Sequence, residues 1–214
     1  MADELYQPLD PDGNGPDWAG FYRSTLGREP RPLFAKGLAA LGAAGAEPGQ
    51  AVEIGFGDGT ETLALLAAGW RVLAVDPTRE AGEALLRRVP AVAAGRLEIR
   101  TVPAQIADLP PFDLLYAGYA FSFLGPTAFP GFWAGVRDRL LPGGWLVFNI
   151  FGPLDTWAGD ATMTFLNLEA VHRLLDGLEI VAIDEEDKDG DSFVGRKHWH
   201  LFDVIARRPP KRIA

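Results

Sequence analysis

The sequence contains no cysteine, which excludes disulfides, thiolate nucleophiles and cysteine-held metals. It also lacks any run of lysine and arginine. Twenty basic residues stand against 29 acidic ones, a formal net charge of −9 at pH 7. Such a chain repels phosphate backbones, so no nucleic-acid partner is expected. Arg207, Arg208, Lys211 and Arg212 read as a solvated tail. No apolar stretch is long enough to span a bilayer, so no membrane partner is expected either. The opening "MADELYQPLDPDG" is too acidic and too broken by proline and glycine for a signal peptide. A cytoplasmic protein is the expectation. Internal repeats and long linkers are missing. His198 and His200 stand at i, i+2 with no evident third ligand, so no metal is expected.

What is present is 214 residues, 48% of them hydrophobic, enough for one domain with a sizeable core. Residues 1–17 read as a loose arm rich in Asp, Pro and Gly. A short amphipathic helix is predicted over 18–28, carrying Trp18, Phe21 and Tyr22. "PRPLFAKGLAALGAAG" reads as a second helix, with proline near its start and Gly45 near its end. Strands and helices then alternate. "QAVEI", "WRVLAV", "LEIRTV", "FDLLYAGY" and "WLVFNI" are the strands. "TETLALLAAG", "TREAGEALLRRV" and "FPGFWAGVRDRL" are the helices, the last stopping at "LPGG". Such alternation implies βαβ units and right-handed crossovers. The last third differs. After the helix "NLEAVHRLLDG", "LEIVAIDEE" and "KHWHLFDVIARR" are strands joined by a polar, helix-free loop, "DKDGDSFVGR". They must be antiparallel. The expected fold is α/β: a Rossmann-like, doubly wound, seven-stranded, mostly parallel sheet ending in an antiparallel hairpin. Residues 1–47 form an N-terminal arm and cap helices, 48–208 the main domain and 209–214 a tail.

The chemistry starts at "AVEIGFGDGTETLALLAAGWRVLAVD", residues 51–76. Glycines at 55 and 57 let backbone approach a ligand closely, and Gly59 opens the following helix. Free amide groups point out of such a strand–helix loop. Asp76 closes the second strand, where a carboxylate can accept both hydroxyls of a ribose. The spacing is G-x-G-x-G, not the G-x-G-x-x-G of dinucleotide sites. Glu53 precedes the loop and Asp58 lies in it. Both repel a pyrophosphate and attract an amino group or a sulfonium. The ligand expected is a nucleoside that carries positive charge.

This stretch resembles the cofactor loop of class I S-adenosylmethionine-dependent methyltransferases, and the likeness runs over residues 48–207, including "LLPGGWLVF". "TFLNLEAVHRLLDGLEI" followed by "KHWHLFDVIARR" is similar, more narrowly, to the small single-domain tellurite-resistance-type branch. The resemblance implies S-adenosyl-L-methionine as cofactor. On it, Glu53 holds the methionine amino group, while Gly55, Phe56 and Gly57 line the methionine and sulfonium portion. Asp76 takes the ribose and Pro77 borders the adenine. Gln105 stands where the family usually has an aspartate for the adenine amino group, and Ile106 offers a backbone N–H to the ring.

Methyl transfer from a sulfonium needs no acid, and needs a base only if the acceptor must lose a proton. The acceptor pocket is expected at the carboxyl ends of the strands. There "YAGYAFSF" supplies Tyr116, Tyr119, Phe121 and Phe123, with Tyr119 facing an acceptor or simply forming a wall. Trp157, in the long loop after the fifth strand, can stack on an acceptor or fill a gap. His198, His200 and Tyr119 are the catalytic candidates, though for the two histidines capping strand ends or bonding the acidic "DEEDKDGD" segment is the favoured role. By the resemblance Tyr22 can close the site; plain packing is the equal alternative. Arg28 and Arg31 can meet an acidic acceptor or solvent. The reading is an enzyme that methylates a small, hydrophobic or aromatic molecule, with a chalcogen oxyanion ranked lower. A cofactor-binding module without catalysis and an NAD-dependent oxidoreductase are the alternatives.

Overall fold

The structure is a computed structural model that describes residues 17–193 and 195–211. Residues 1–16 of the expected arm lie outside the described residues. Asp17 begins α1 (Trp18–Thr25), its carboxylate accepting from the Gly20 N–H at 2.7 Å. Then come α2 (Pro32–Ala43), β1 (Gln50–Ile54), α3 (Thr60–Ala67), β2 (Arg71–Val75), α4 (Arg79–Leu86), β3 (Leu97–Arg100) and β4 (Phe112–Ala117). α5 (Phe129–Arg139), β5 (Leu140–Phe151), α6 (Leu168–Leu174), β6 (Glu179–Ser192) and β7 (Gly195–Arg207) complete the chain. The sheet order is β3-β2-β1-β4-β5-β7-β6, parallel except where β7 runs against both β5 and β6. This is the doubly wound sheet with a terminal hairpin that the alternation predicts.

The central strands β1, β2, β4 and β5 are buried on both faces, and their side chains divide by alternation. Val52, Ile54, Leu115, Leu146 and Phe148 point into one core, with Phe132, Trp133 and Val136 of α5. Ala51, Leu114, Tyr116 and Val147 point into the other, with Phe34 of α2 and Leu65 and Leu66 of α3. Gly37 of α2 lies so close to the sheet that a Cβ there would sit 2.8 Å from the Val147 methyls.

Two elements depart from expectation. β5 starts at Leu140, directly after α5, so "LPGG" lies within the strand and its pairing with β4 shifts register between Phe112 and Leu114. The terminal hairpin is far longer than predicted. β6 and β7 pair without a break in their tip half, from Asp184↔Asp203 to Ser192↔Gly195, straight through the "DKDGDSFVGR" stretch. Asp and Gly are poor strand formers, which is why that stretch reads as a loop. Cross-strand pairs overcome this: His198 bonds Asp187 and Asp189 at 2.9 and 3.0 Å, and the Trp199 indole donates to the Asp191 carbonyl. β5 ends its pairing at Phe151↔Leu201, so the ribbon projects about 20 Å past the sheet. At its tip the Phe193 ring lies 5.5 Å from that of Phe21 in α1.

Asp203 of β7 faces Asn149 of β5. Burial raises its carboxyl from the ordinary 3.8 to about 6; the Asn149 hydrogen bond opposes this, and the charge of Glu186 adds to it. The folded chain therefore binds this proton more tightly than the unfolded chain, and its stability falls as pH rises from 3.8 through about 6. Asp203→Asn is expected to raise Tm at pH 8 and leave it nearly unchanged at pH 4, measured by thermal unfolding at both.

Candidate active site

A cavity of about 840 Å³ opens at the carboxyl ends of β1, β2, β4 and β5, roofed by α1 on one side and the β6–β7 ribbon on the other. Its floor is the loop from β1 to α3. Gly55, Gly57 and Gly59 all have positive φ, at 71°, 52° and 74°, a region that costs other residues energy. Space makes the same demand at Gly57, where a Cβ would stand 2.9 Å from the Tyr22 ring. Phe56 borders the cavity while its ring is buried in the core.

Asp76 ends β2 and is 1% exposed. It accepts from the Thr78 N–H at 2.9 Å, the Gly57 N–H at 3.1 Å and the Tyr22 hydroxyl at 3.0 Å. Burial raises its carboxyl, and the Thr78 and Gly57 bonds oppose that. Glu53 is also 1% exposed, and Thr62 donates to it at 2.5 Å. Burial, then the neighbouring charge of Glu61, pushes the Glu53 carboxyl well above the usual range. Beside it on β4, in register, stands Tyr116, whose buried hydroxyl makes no hydrogen bond.

Glu61 is a site residue that motif reading misses, although it sits in the first turn after the glycine loop. Arg28 grips it with two bonds of 2.6 Å and reaches Asp58 at 3.1 Å, and the Arg31 N–H adds a bond of 2.9 Å to Glu61. Burial opposes ionisation of Glu61, but the Arg28 bonds and charge outweigh it and hold its carboxyl below the usual range. Arg28 is therefore committed to the loop and does not await an acidic acceptor. Asp58 is offset by the same guanidinium, so of the two loop carboxylates only Glu53 is left without a cation.

Pro77 and Gln105 border the cavity, as does the 3₁₀ turn Ala104–Ile106 through Ala104. Ile106 is placed elsewhere than expected. Its side chain is 69% exposed, it does not border the cavity, and its N–H is spent on the Pro103 carbonyl at 3.1 Å. On the other side Tyr119, Phe123, Phe151, Trp157 and Trp199 make an aromatic wall. Tyr119 is the one described non-glycine residue with positive φ, at 57°, held by its N–H on Asn149 at 2.7 Å. Phe121 turns into the core instead.

Of the catalytic candidates Tyr119 borders the cavity, and the two histidines do not. His200 is buried, accepts from the Leu154 N–H at 3.0 Å through Nδ1, and presents Nε2 to Glu185 at 2.9 Å. His198 is half-exposed and tied to Asp189 and Asp187, whose hydrogen bonds and charges raise its pKa, Asp189 first. Both bond the acidic strand opposite, the role favoured for them. No histidine borders the cavity among the described residues. Sequence reading also misses Lys197 behind the wall, against the rings of Trp157, Trp199 and Phe151.

Residues 52–146 match the family described as a methyltransferase domain. That segment, less than half of the chain, is a methyltransferase domain of the S-adenosylmethionine-dependent kind. Its cofactor is S-adenosylmethionine. A curated relative, the probable ribosomal RNA small subunit methyltransferase A of Methanospirillum hungatei, is 38% identical over 79 residues, 36% of this chain. The match spans only 31% of that relative's length. Among solved structures, the methyltransferase fold recurs in the Burkholderia thailandensis 1,6-didemethyltoxoflavin-N1-methyltransferase, with bound 1,6-didemethyltoxoflavin and S-adenosylhomocysteine. That match has a TM-score of 0.64 at 22% identity, over 84% of this chain and 77% of that one. TehB from Haemophilus influenzae has a TM-score of 0.64 at 15% identity, over 81% and 62%.

The residues of this cavity fit the cofactor. Asp76 already takes a hydroxyl donor from Tyr22, the kind of partner a ribose offers. Glu53 is a buried acid without a cation, and the Tyr116 hydroxyl is an orphan in the same cavity. Removing the Arg28 guanidinium leaves Glu61 and Asp58 buried without a counter-ion. Arg28→Met is expected to cost about 3 kcal/mol of unfolding free energy, the low end for breaking a buried pair because Arg28 is partly solvated. Urea denaturation at pH 7 measures it.

Proposed function

We propose that this methyltransferase transfers its methyl group to a small molecule held against the aromatic wall. The observation that carries this reading is the wall itself: five aromatic residues continuous with the cofactor loop, inside a cavity covered by α1 and the ribbon. Concave, mostly apolar sites with a few polar groups are how proteins hold small ligands. The formal net charge of −9 favours a small molecule over RNA.

When bound, the cofactor supplies an electrophilic methyl on a positively charged sulfur, which leaves as a neutral thioether. The chain's own residues do the rest. Asp76 holds the ribose hydroxyls, Pro77 and Gln105 border the adenine, and Gly55, Phe56 and Gly57 line the methionine portion. Glu53 faces the amino group; burial opposes its ionisation, and an ammonium beside it favours the ionised form. The aromatic wall fixes the acceptor in line with the methyl, and the roof excludes water, so positioning and desolvation supply the acceleration. Neither histidine serves as base, since both are engaged elsewhere.

Calorimetric titration with S-adenosylmethionine, S-adenosylhomocysteine and NAD tests the cofactor half of this reading. Binding of the first two, abolished by Asp76→Ala, is expected; binding of NAD alone sinks it. Turnover of labelled cofactor with a panel of small aromatic acceptors, and a small-subunit ribosomal RNA transcript as control, tests the other half. Cofactor binding without turnover of any of these supports a binding module instead. A second prediction concerns pH. An ammonium ligand favours ionised Glu53, whereas burial in the free protein opposes ionisation. Affinity for S-adenosylhomocysteine is expected to rise with pH from 4.5 upward, through the raised value of Glu53. Glu53→Gln should flatten that slope and weaken binding at pH 8 by about tenfold, the scale of a charge-assisted hydrogen bond.

A further inference from the structure

Every ring of the inner wall except that of Phe123 already carries a protein cation. The Lys197 ammonium lies 3.4 Å from the Trp157 ring centre, 4.0 Å from that of Trp199 and 4.8 Å from that of Phe151. It is 2.6 Å from Asp155, and both side chains are almost wholly buried. The three rings border the cavity, whereas Lys197 and Asp155 do not. The fourth ring, Tyr119, lies 5.7 Å from Trp199 and has the Arg31 guanidinium 4.5 Å above it. Arg31 borders the cavity, and among the described residues its guanidinium makes no hydrogen bond or ion pair.

Three aromatic rings and a carboxylate around one point form the arrangement that captures quaternary ammonium ligands. Here the chain fills that arrangement with its own lysine. A cation on one face of a ring uses the attraction of the π system and repels a second cation brought to the other face. A neutral or anionic group meets no such repulsion, and an anionic one is drawn to Arg31. The acids at the rim do not reverse this: Glu186 is paired with Lys188 at 3.1 Å, and Asp191 is exposed to screening solvent.

We propose that this wall selects acceptors whose aromatic portion is uncharged or anionic, a phenol or an aromatic carboxylate, and rejects those that present an ammonium to it. The proposal deepens the small-molecule reading above and rests on it. Lys197 and Arg31 are then specificity-determining residues, Lys197 acting through the rings it holds.

The test is equilibrium binding of three probes on one ring frame, 2-naphthol, 2-naphthoate and 2-naphthyltrimethylammonium, followed by titration calorimetry with and without saturating S-adenosylhomocysteine. The full chain is expected to bind naphthol and naphthoate about tenfold more tightly than the cation, or by a wider margin, the scale of a single cation–π interaction. Arg31→Gln, at a partly exposed position, should weaken naphthoate several-fold and leave naphthol unchanged. Lys197→Met combined with Asp155→Asn removes the buried pair as a unit, and should bring the cation within about threefold of naphthol as the repulsion is lost. Equal or tighter binding of the cation by the unaltered chain overturns the proposal. So does failure of all three probes to bind at about 10 mM, where even weak fragments register, since the wall is then no acceptor surface. Failure of S-adenosylhomocysteine alone appears in its own titration and counts against the cofactor reading, not against the wall.

Discussion

Two carboxylates, Asp58 in the loop and Glu61 in the first turn of α3, are buried within a few ångströms of the place where the cofactor loop turns. Charges so placed are tolerable only with a counter-ion that cannot drift away. Arg28 meets both at once, and its backbone neighbourhood follows: the Arg31 N–H closes on Glu61, and α1 and α2 are fixed on either side. With that segment anchored, Tyr22 lies over Gly57 with its hydroxyl on Asp76, and Arg31 over Tyr119. Nearly every cavity contact made by the N-terminal part of the chain depends on this one guanidinium. The same fork leaves Glu53 as the acid on the loop without a cation of its own, so the polarity of the cofactor site is set by which carboxylate the arginine does not reach.

The cofactor half of the site was legible because its demands are local. A strand that ends in alternating glycines, and a second strand that ends in Asp76, are written within 26 consecutive residues, and backbone conformation enforces them. The sheet was legible for the same reason, since alternation of apolar runs with helical ones leaves few topologies. The rest depends on partners remote in the chain. Ile106 looked like an adenine contact by position, but a 3₁₀ turn consumed its N–H. Arg28 looked free because Glu61 and Asp58 lie more than two dozen residues away. The ribbon read as a loop because its Asp and Gly residues are stabilised by His198 and Trp199 across the strand, not by their own propensities. Lys197 was invisible as a wall element because its three rings come from β5, β7 and the loop between β5 and α6.

The two halves of the cavity differ in kind. One is acidic, rigid and built on the loop; the other is aromatic and backed by cations. A ligand with a cationic centre belongs to the first half, and the second disfavours one. Such a division orients two ligands in one cavity without a partition between them, because each half repels what the other attracts.

The contact between Phe21 and Phe193 joins residues 172 positions apart (193 − 21). The roof of the cavity is thus made by segments remote in the chain, and the hairpin that supplies one of them is synthesised after β1–β5. Closing so long a loop brings little stabilisation until the sheet beneath it exists. The nascent domain can form its glycine loop and β1–β4 early, but it stays roofless until β7 emerges. During synthesis the polypeptide therefore holds its glycine loop and Asp76 before the chamber over them can close.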